Sequence, residues 1–333
     1  MPAASPPSPE LYFDTIFAFQ RSAALQSAID LALFTAIGDG ARTAPDLAKA
    51  CGAPERGIRI LCDFLTTIGF ITKTGGTYDL TPDSALFLTK RSPAYLGGTA
   101  AFLYSKQVTV NFDGLTDTIR HGTPAASLMV VENPAWVQFA QAMVPMMMPV
   151  AEEIAGLLAI ESAGPVRVLD LAAGHGIFGI VLAKHNPQVE VVAVDWAPVL
   201  EVATENAAMM GVGGQHRELP GDAFSVEFGT GFDIALVTNF LHHFDHQTNR
   251  ALLAKTAKAL KPGGRVVILE FVPNDDRVTP PMAARFSLVM LAGTAAGDAY
   301  TLPELRAMLT EAGFSTVTSH PTRGPETVVI ATK

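Results

Sequence analysis

Residues 166–195 read VRVLDLAAGHGIFGIVLAKHNPQVEVVAVD. A hydrophobic run ends in Asp170, a tight AAGHG turn follows, and an apolar helical stretch opens at Ile177. A second hydrophobic run ends in Asp195, nineteen residues past Gly176. Continuous Val/Leu runs are what strands buried on both faces show. Gly174 and Gly176 permit backbone angles closed to other residues and remove side chains that would block a ligand. The helix behind them points free N–H groups at the crevice. An acid ending the second strand can take both hydroxyls of a ribose. A bare G-x-G is a weak signal; strand, turn, helix and acid in this order are a strong one. The stretch predicts a nucleotide-type fold, and a nucleoside cofactor without phosphates fits it best, since nothing else in it prepares a pyrophosphate site.

Downstream, strands and helices alternate. Strands are predicted near 166–172, 190–195, 233–238 and 265–271, with helices near 176–185, 198–210 and 247–260. A last helix, LPELRAMLTEAGF (302–314), leads to strands near 314–320 and 326–332. Alternation of this kind predicts an α/β domain with a mostly parallel sheet, occupying residues 161–333.

Upstream the pattern is helical. Phe13, Ile16, Phe17, Ala24, Ala28, Leu31 and Phe34 recur at three-to-four spacing from Leu11 to about Ile37. ARTAPDLAKACG (41–52), APERGIRILCDFLTTIGF (53–70) and ITKTGGTYDLTP (71–82) then predict helix, helix and a two-stranded wing. Thr43 caps the first helix, with Pro45 in its first turn. Gly69 stops the second, and Gly75-Gly76 turn the wing. This winged-helix domain is expected over residues 11–92. A helical segment, 93–160, connects it to the α/β domain. It includes WVQFAQAMVPMMMPVAEEIAGLL (136–158), where Pro145 and Pro149 are expected to bend the helix.

Composition excludes several classes. At 49% hydrophobic and 17% charged, the chain can bury a sizeable core and is not a disordered protein. Its net charge of -9, with no Lys/Arg run, makes nucleic acid a poor partner. Two cysteines, Cys51 and Cys62, form neither a disulfide framework nor a zinc set. They are expected as reduced thiols packed in helices. MPAASPPSPE, residues 1–10, lacks the basic start and apolar run of a signal peptide and is expected to be a disordered leader. No apolar run is long enough to span a bilayer, so the expected address is the cytoplasm.

VLDLAAGHG resembles the first motif of class I S-adenosylmethionine-dependent methyltransferases, with Ala172 where that family usually has Gly. GDAF (221–224), FDIALVTNFLHHF (232–244) and LKPGGRVVILE (260–270) resemble the family's later motifs in the right order. With its helical, winged N-terminal part, the whole chain resembles the O-methyltransferases of plant phenolic, hydroxyindole and bacterial polyketide type. The resemblance implies a Rossmann-like domain with a seven-stranded sheet. It implies S-adenosylmethionine as cofactor, S-adenosylhomocysteine as product, and a homodimer formed through the N-terminal domain. It assigns the cofactor to Asp170, Ala172, Gly174, Gly176, Asp195, Trp196, Asp222, Ala223, Phe224 and Asn239. Of these, Asp195 serves the ribose and Asp222 the adenine amino group.

The loop NFLHHFDHQTN (239–249) holds His242, His243 and His246. The family has a Leu-His-Asp-Trp pattern there. Carried over by position, His242 is the general base, and His243 stands where the family has Asp, which leaves the choice between the two open. A neutral imidazole has the right pKa to take a phenolic proton near neutral pH. Glu270 matches one family acid that orients the base. The second family acid falls at Ala299 in AAGDAYTLPEL (295–305), with Asp298 next to it as the candidate substitute. His175, inside the turn, is expected to be solvated or at the cofactor edge. No metal is expected. Met143, Met146, Met147, His243, Phe286 and Met290 are candidate acceptor-pocket residues, although such stripes serve equally as core. The expected acceptor is a small aromatic or hydrophobic molecule. Transfer to C, N or S, a non-methylating reaction on the same fold, and a cofactor-sensing winged-helix regulator are the alternatives.

Overall fold

The structure, a computed structural model, describes residues 6–125 and 134–333. The expected leader therefore lies half outside the described residues, and so does part of the expected helical segment 93–160. The chain folds as two compact units, Met1–Ser105 and Lys106–Lys333.

In the first unit the expected long N-terminal helix is three helices, Glu10–Ile16, Ala18–Asp30 and Leu33–Gly38. The last break falls at Ala32, which takes a left-handed φ of 51°. Thr43 accepts the Asp46 N–H and starts helix Ala44–Cys51, with Pro45 in its first turn. Helix Glu55–Thr67 follows, then β1 (Ile71–Thr74) and β2 (Thr77–Leu80), an antiparallel pair turned at Gly75-Gly76. Both glycines have positive φ, 57° and 85°, as this two-residue hairpin requires. Phe34, Leu47, Ile58, Leu65, Ile71 and Tyr78 form the core. Asp63 draws the wing onto the preceding helix: its carboxylate accepts from Lys73 Nζ at 2.6 Å, Tyr78 OH at 2.7 Å and Arg59 at 2.8 Å. Cys62 is buried here, and burial pushes its thiol up to about 12. Such a thiol carries almost no thiolate at neutral pH.

The second unit is built on a seven-stranded sheet. Its strands are β3 (Val166–Leu171), β4 (Val189–Asp195), β5 (His216–Pro220), β6 (Phe232–Thr238), β7 (Leu260–Glu270), β8 (Val317–Pro321) and β9 (Thr327–Thr332). The order is β5-β4-β3-β6-β7-β9-β8; β9 runs antiparallel to β7 and to β8, and all other pairs are parallel. Val168 packs into one hydrophobic cluster while Leu169 and Leu171 face another, so the sheet is covered on both sides. β5 escaped the sequence pattern because it is a short, polar edge strand, HRELP, with no hydrophobic run to mark it. Helix Pro281–Gly293 is likewise not among the predicted elements. Helix Pro134–Leu157 carries Pro145 and Pro149 inside it. Among the described residues no helix is long and apolar enough to cross a membrane.

The strand order reverses between β3 and β6. Ligands of open α/β sheets bind at such a switch point, outside the carboxyl ends of the strands. The ends of β3, β4, β6 and β7 carry the AAGHG turn, Asp195, the Asn239–Phe244 loop and Glu270.

Candidate active site

The turn after β3 is shaped by left-handed residues: Ala172 (φ 51°), Gly174 (56°) and Gly176 (72°). Left-handed geometry costs an L side chain about 1–2 kcal/mol, which Ala172 bears where a glycine would not. A Cβ on Gly176 would meet the Ala203 Cβ at 2.9 Å, and one on Gly179 would meet Val191 Cγ1 at 2.7 Å. Gly179 therefore lets helix Ile177–His185 lie close against β4. Gly174, Gly176 and Gly179 do meet the spacing G-x-G-x-x-G, so the glycines by themselves leave a dinucleotide open. The cleft decides against one. About 200 Å³ in volume, it is lined by Trp136, Ala172, Val194, Asp195, Trp196, Gly221, Asp222, Ala223, Phe224, Phe240 and Phe244. Two carboxylates and, among the described residues, no Lys or Arg face it. That is a poor setting for a pyrophosphate and a good one for the hydroxyls and amino group of a nucleoside.

Asp195 accepts the Gly174 N–H on Oδ2 at 2.8 Å and the Trp196 N–H on Oδ1 at 2.7 Å. Each oxygen keeps a lone pair for a ligand hydroxyl. Burial lifts its carboxyl to about 6 against the pull of those two N–H groups. Asp222 spends one oxygen on the Phe224 N–H at 2.9 Å, which folds the loop so that Phe224 packs edge-on against Phe244.

Two expected cofactor residues, Asp170 and Asn239, and the turn residue His175 lie outside this lining. Asp170 is fully buried, and its Oδ2 accepts the Gly179 N–H at 3.2 Å from beneath the turn. Burial holds its carboxyl well above the usual range. Asn239 is not in the cleft lining; it sits at φ 53° with its amide 3.7 Å from the Met147 sulfur. His175 is 3% exposed rather than solvated. Its Nδ1 accepts the Ile177 N–H at 3.1 Å and so caps the helix, while burial lowers its pKa to about 4.

Beyond the cleft lies the His242 loop. His242, 4% exposed, has Nδ1 2.5 Å from Glu270 Oε2. The other Glu270 oxygen accepts the backbone N–H groups of Phe240 (3.1 Å), Leu241 (2.9 Å) and His242 (3.3 Å). One carboxylate thus shapes the loop and orients the ring. A carboxylate only accepts, so Nδ1 carries the proton and Nε2 keeps its lone pair. Asn249 donates to the carbonyls of Leu241 and Phe244, and Tyr300 OH also donates to the latter. Gly297 presses on the loop from outside: a Cβ there would lie 2.2 Å from the His242 carbonyl oxygen, so no side chain fits. The sequence marks Gly297 only as a glycine beside the expected acid.

His243 differs from its neighbour. Its ring packs against Trp136, Phe240 and Phe244, and Nδ1 is buried with no partner among the described residues. Burial, with His242 beside it, pushes its pKa well below the ordinary imidazole value. His246 stands off the loop, 3.6 Å from Glu304.

Asp298, the expected second acid, does not reach His242. Its Oδ2 pairs with Arg277 at 3.3 Å and its Oδ1 accepts the Ala299 N–H at 2.8 Å. Arg277 also binds Glu304, so Asp298 belongs to an exposed ion-pair network. An acid that the sequence does not single out, Glu326, is 6% exposed just before β9 and hydrogen-bonded to the Asn239 side chain. Of the expected pocket residues, Phe286 sets its ring 4.7 Å from the His242 ring, edge to face. Met143, Met147 and Met290 are buried, the first two within the core cluster. Met146, on the same helix, is 40% exposed.

Residues 116–315 match the family described as O-methyltransferase domain, and residues 13–90 match the O-methyltransferase dimerisation domain. The chain is 29% identical to the 3-hydroxy-5-methyl-1-naphthoate 3-O-methyltransferase of Streptomyces sahachiroi, covering 93% of this chain and 90% of that one. A crystal structure of a candidate O-methyltransferase from Nostoc punctiforme PCC 73102 superposes with a TM-score of 0.95 at 48% identity, covering 99% of this chain and 100% of the other. Human N-acetylserotonin methyltransferase in complex with S-adenosylmethionine shares the fold (TM-score 0.85, 20% identity, 100% and 99% covered).

Proposed function

The chain belongs to the O-methyltransferase family and takes S-adenosylmethionine as its methyl donor, and we propose that it methylates a hydroxyl of a small phenolic or polycyclic aromatic metabolite with His242 as general base. The observation that carries the proposal is the buried His242–Glu270 pair at the ends of adjacent strands. Asp195 holds the ribose hydroxyls, Asp222 the adenine amino group, and Trp136, Phe224, Phe240 and Phe244 the flat faces of the cleft. The bound cofactor supplies an electrophilic methyl on a sulfonium. His242 Nε2 takes the acceptor proton, and Glu270 stabilises the resulting imidazolium. A fixed loop holds the acceptor oxygen for attack, and such positioning carries much of the rate. The Streptomyces sahachiroi relative, which acts on a hydroxynaphthoate, supports an aromatic acceptor, as do the aromatic rings around the loop.

The test is calorimetric titration with S-adenosylhomocysteine. Asp195→Ala is expected to weaken binding by about 100-fold, the worth of charge-assisted bonds to two hydroxyls. Because the accepting form is the carboxylate, wild-type affinity is expected to fall about tenfold per unit as pH drops below about 6. Undiminished affinity in the variant would remove Asp195 from the site.

The winged-helix domain, residues 11–92, is the dimerisation domain in this proposal. Leu11 (79% exposed) and Phe19 (63%) leave an apolar face on its first two helices, which a second copy would cover. Light scattering is expected to give twice the 35.2 kDa chain mass; a monomer at micromolar concentration would contradict it.

A further inference from the structure

We infer that Glu326 is a specificity-determining residue of the acceptor site, its unpartnered Oε1 taking an O–H or N–H donor that the acceptor carries beside the hydroxyl served by His242. The inference rests on the function proposed above and narrows its substrate class.

Glu326 is 6% exposed, and Oε1 is buried without a hydrogen-bond partner among the described residues. An orphaned buried carboxylate oxygen is costly to keep and calls for something that answers it. The groups around it belong to the active site. Asn239, at the end of β6, hydrogen-bonds its side chain; Glu270, at the end of β7, and His242, on the loop, both act on its charge. The β7–β9 register pairs Glu270 with Thr327, so Glu326, the residue just before β9, adjoins that pair along the chain. The Glu326 backbone is held independently: its carbonyl accepts from Thr322 N–H at 3.2 Å and Oγ1 at 2.7 Å.

The two acids differ in what they have left to give. Glu270 already receives three backbone N–H groups and the imidazole. Glu326 has an oxygen to spare. Burial and the neighbouring Glu270 raise its carboxyl to about 7, against the pull of Asn239 and His242. A donor on the acceptor satisfies Oε1 and favours the carboxylate. A second anionic group at the same place meets two carboxyls and is rejected. The acceptors favoured are therefore diols or amino-phenols over monophenols and over aromatics with a carboxylate at that position.

The test is titration of S-adenosylhomocysteine-saturated protein with 2,3-dihydroxynaphthalene and with 2-naphthol, for wild type, Glu326→Gln and Glu326→Leu. Wild type is expected to bind the diol about tenfold or more tightly, the worth of one charge-assisted hydrogen bond. The Gln variant, which keeps an accepting oxygen, is expected to retain part of that preference, and the Leu variant to bind both probes alike. A preference that survives in Glu326→Leu, its absence in wild type, or failure of wild type to bind the diol would each overturn the inference. Affinity for S-adenosylhomocysteine in the same samples reports on folding and on the cofactor site. Methyl transfer to 2-naphthol reports separately on the proposed function.

Discussion

Glu270→Gln protein is expected to melt within a few degrees of wild type and to lose about 10³–10⁴-fold in methyl transfer. Glutamine keeps an oxygen that can still accept the Phe240, Leu241 and His242 N–H groups, so the loop keeps its shape. Its other end now offers N–H to Nδ1, where the carboxylate accepted from it. The imidazole proton then moves to Nε2, and the lone pair that takes the acceptor proton is gone; a comparable tautomer error in serine proteases costs about 10⁴. Glu270→Ala adds a structural defect, since three loop N–H groups lose their partner at roughly 1–3 kcal/mol for each that stays buried. Its melting temperature is expected to fall by about 10 °C. Thermal denaturation beside kcat at saturating cofactor separates the two effects. Equal activity in wild type and Glu270→Gln would contradict the assigned role.

His242→Ala is the second large effect. Transfer is expected to fall by about 10²–10⁴, the range for loss of a positioned general base. Affinity for S-adenosylhomocysteine should stay within about threefold of wild type, because His242 does not line the cofactor cleft. His243→Ala should cost less in kcat: its ring sits among Trp136, Phe240 and Phe244 with no acid to orient it. If His243→Ala were the more damaging change at saturating substrates, the two roles would have to be exchanged.

Much of this is legible in the sequence, for reasons that differ by element. The strands β3, β4, β6 and β7 announce themselves because strands buried on both faces need continuous apolar runs. Polar β5 carries no such mark. The glycine turn and Asp195 are readable because local backbone geometry and a fixed offset define them. Asp298 and Glu326 show the limit. The expected second acid lies in sequence beside Ala299, yet Arg277, 21 residues upstream, holds it in a surface ion pair. Glu326 lies in the last hairpin, 84 residues from His242 in number, and reaches the site only because β9 pairs with β7. Contacts created by strand pairing leave no local pattern. The Met-rich stretch shows periodicity but not which side of the helix faces the sheet, so Met143 and Met147 are buried while Met146 is exposed.

The most direct test of the central claim is to follow the methyl itself. Protein incubated with S-adenosylmethionine carrying a ¹³C-methyl group and with 2-naphthol and 2,3-dihydroxynaphthalene is predicted to yield products with the labelled carbon on oxygen, by NMR shift and mass, and His242→Ala to yield almost none. Label on a ring carbon, or equal O-methylation by the His242→Ala protein, would contradict the account.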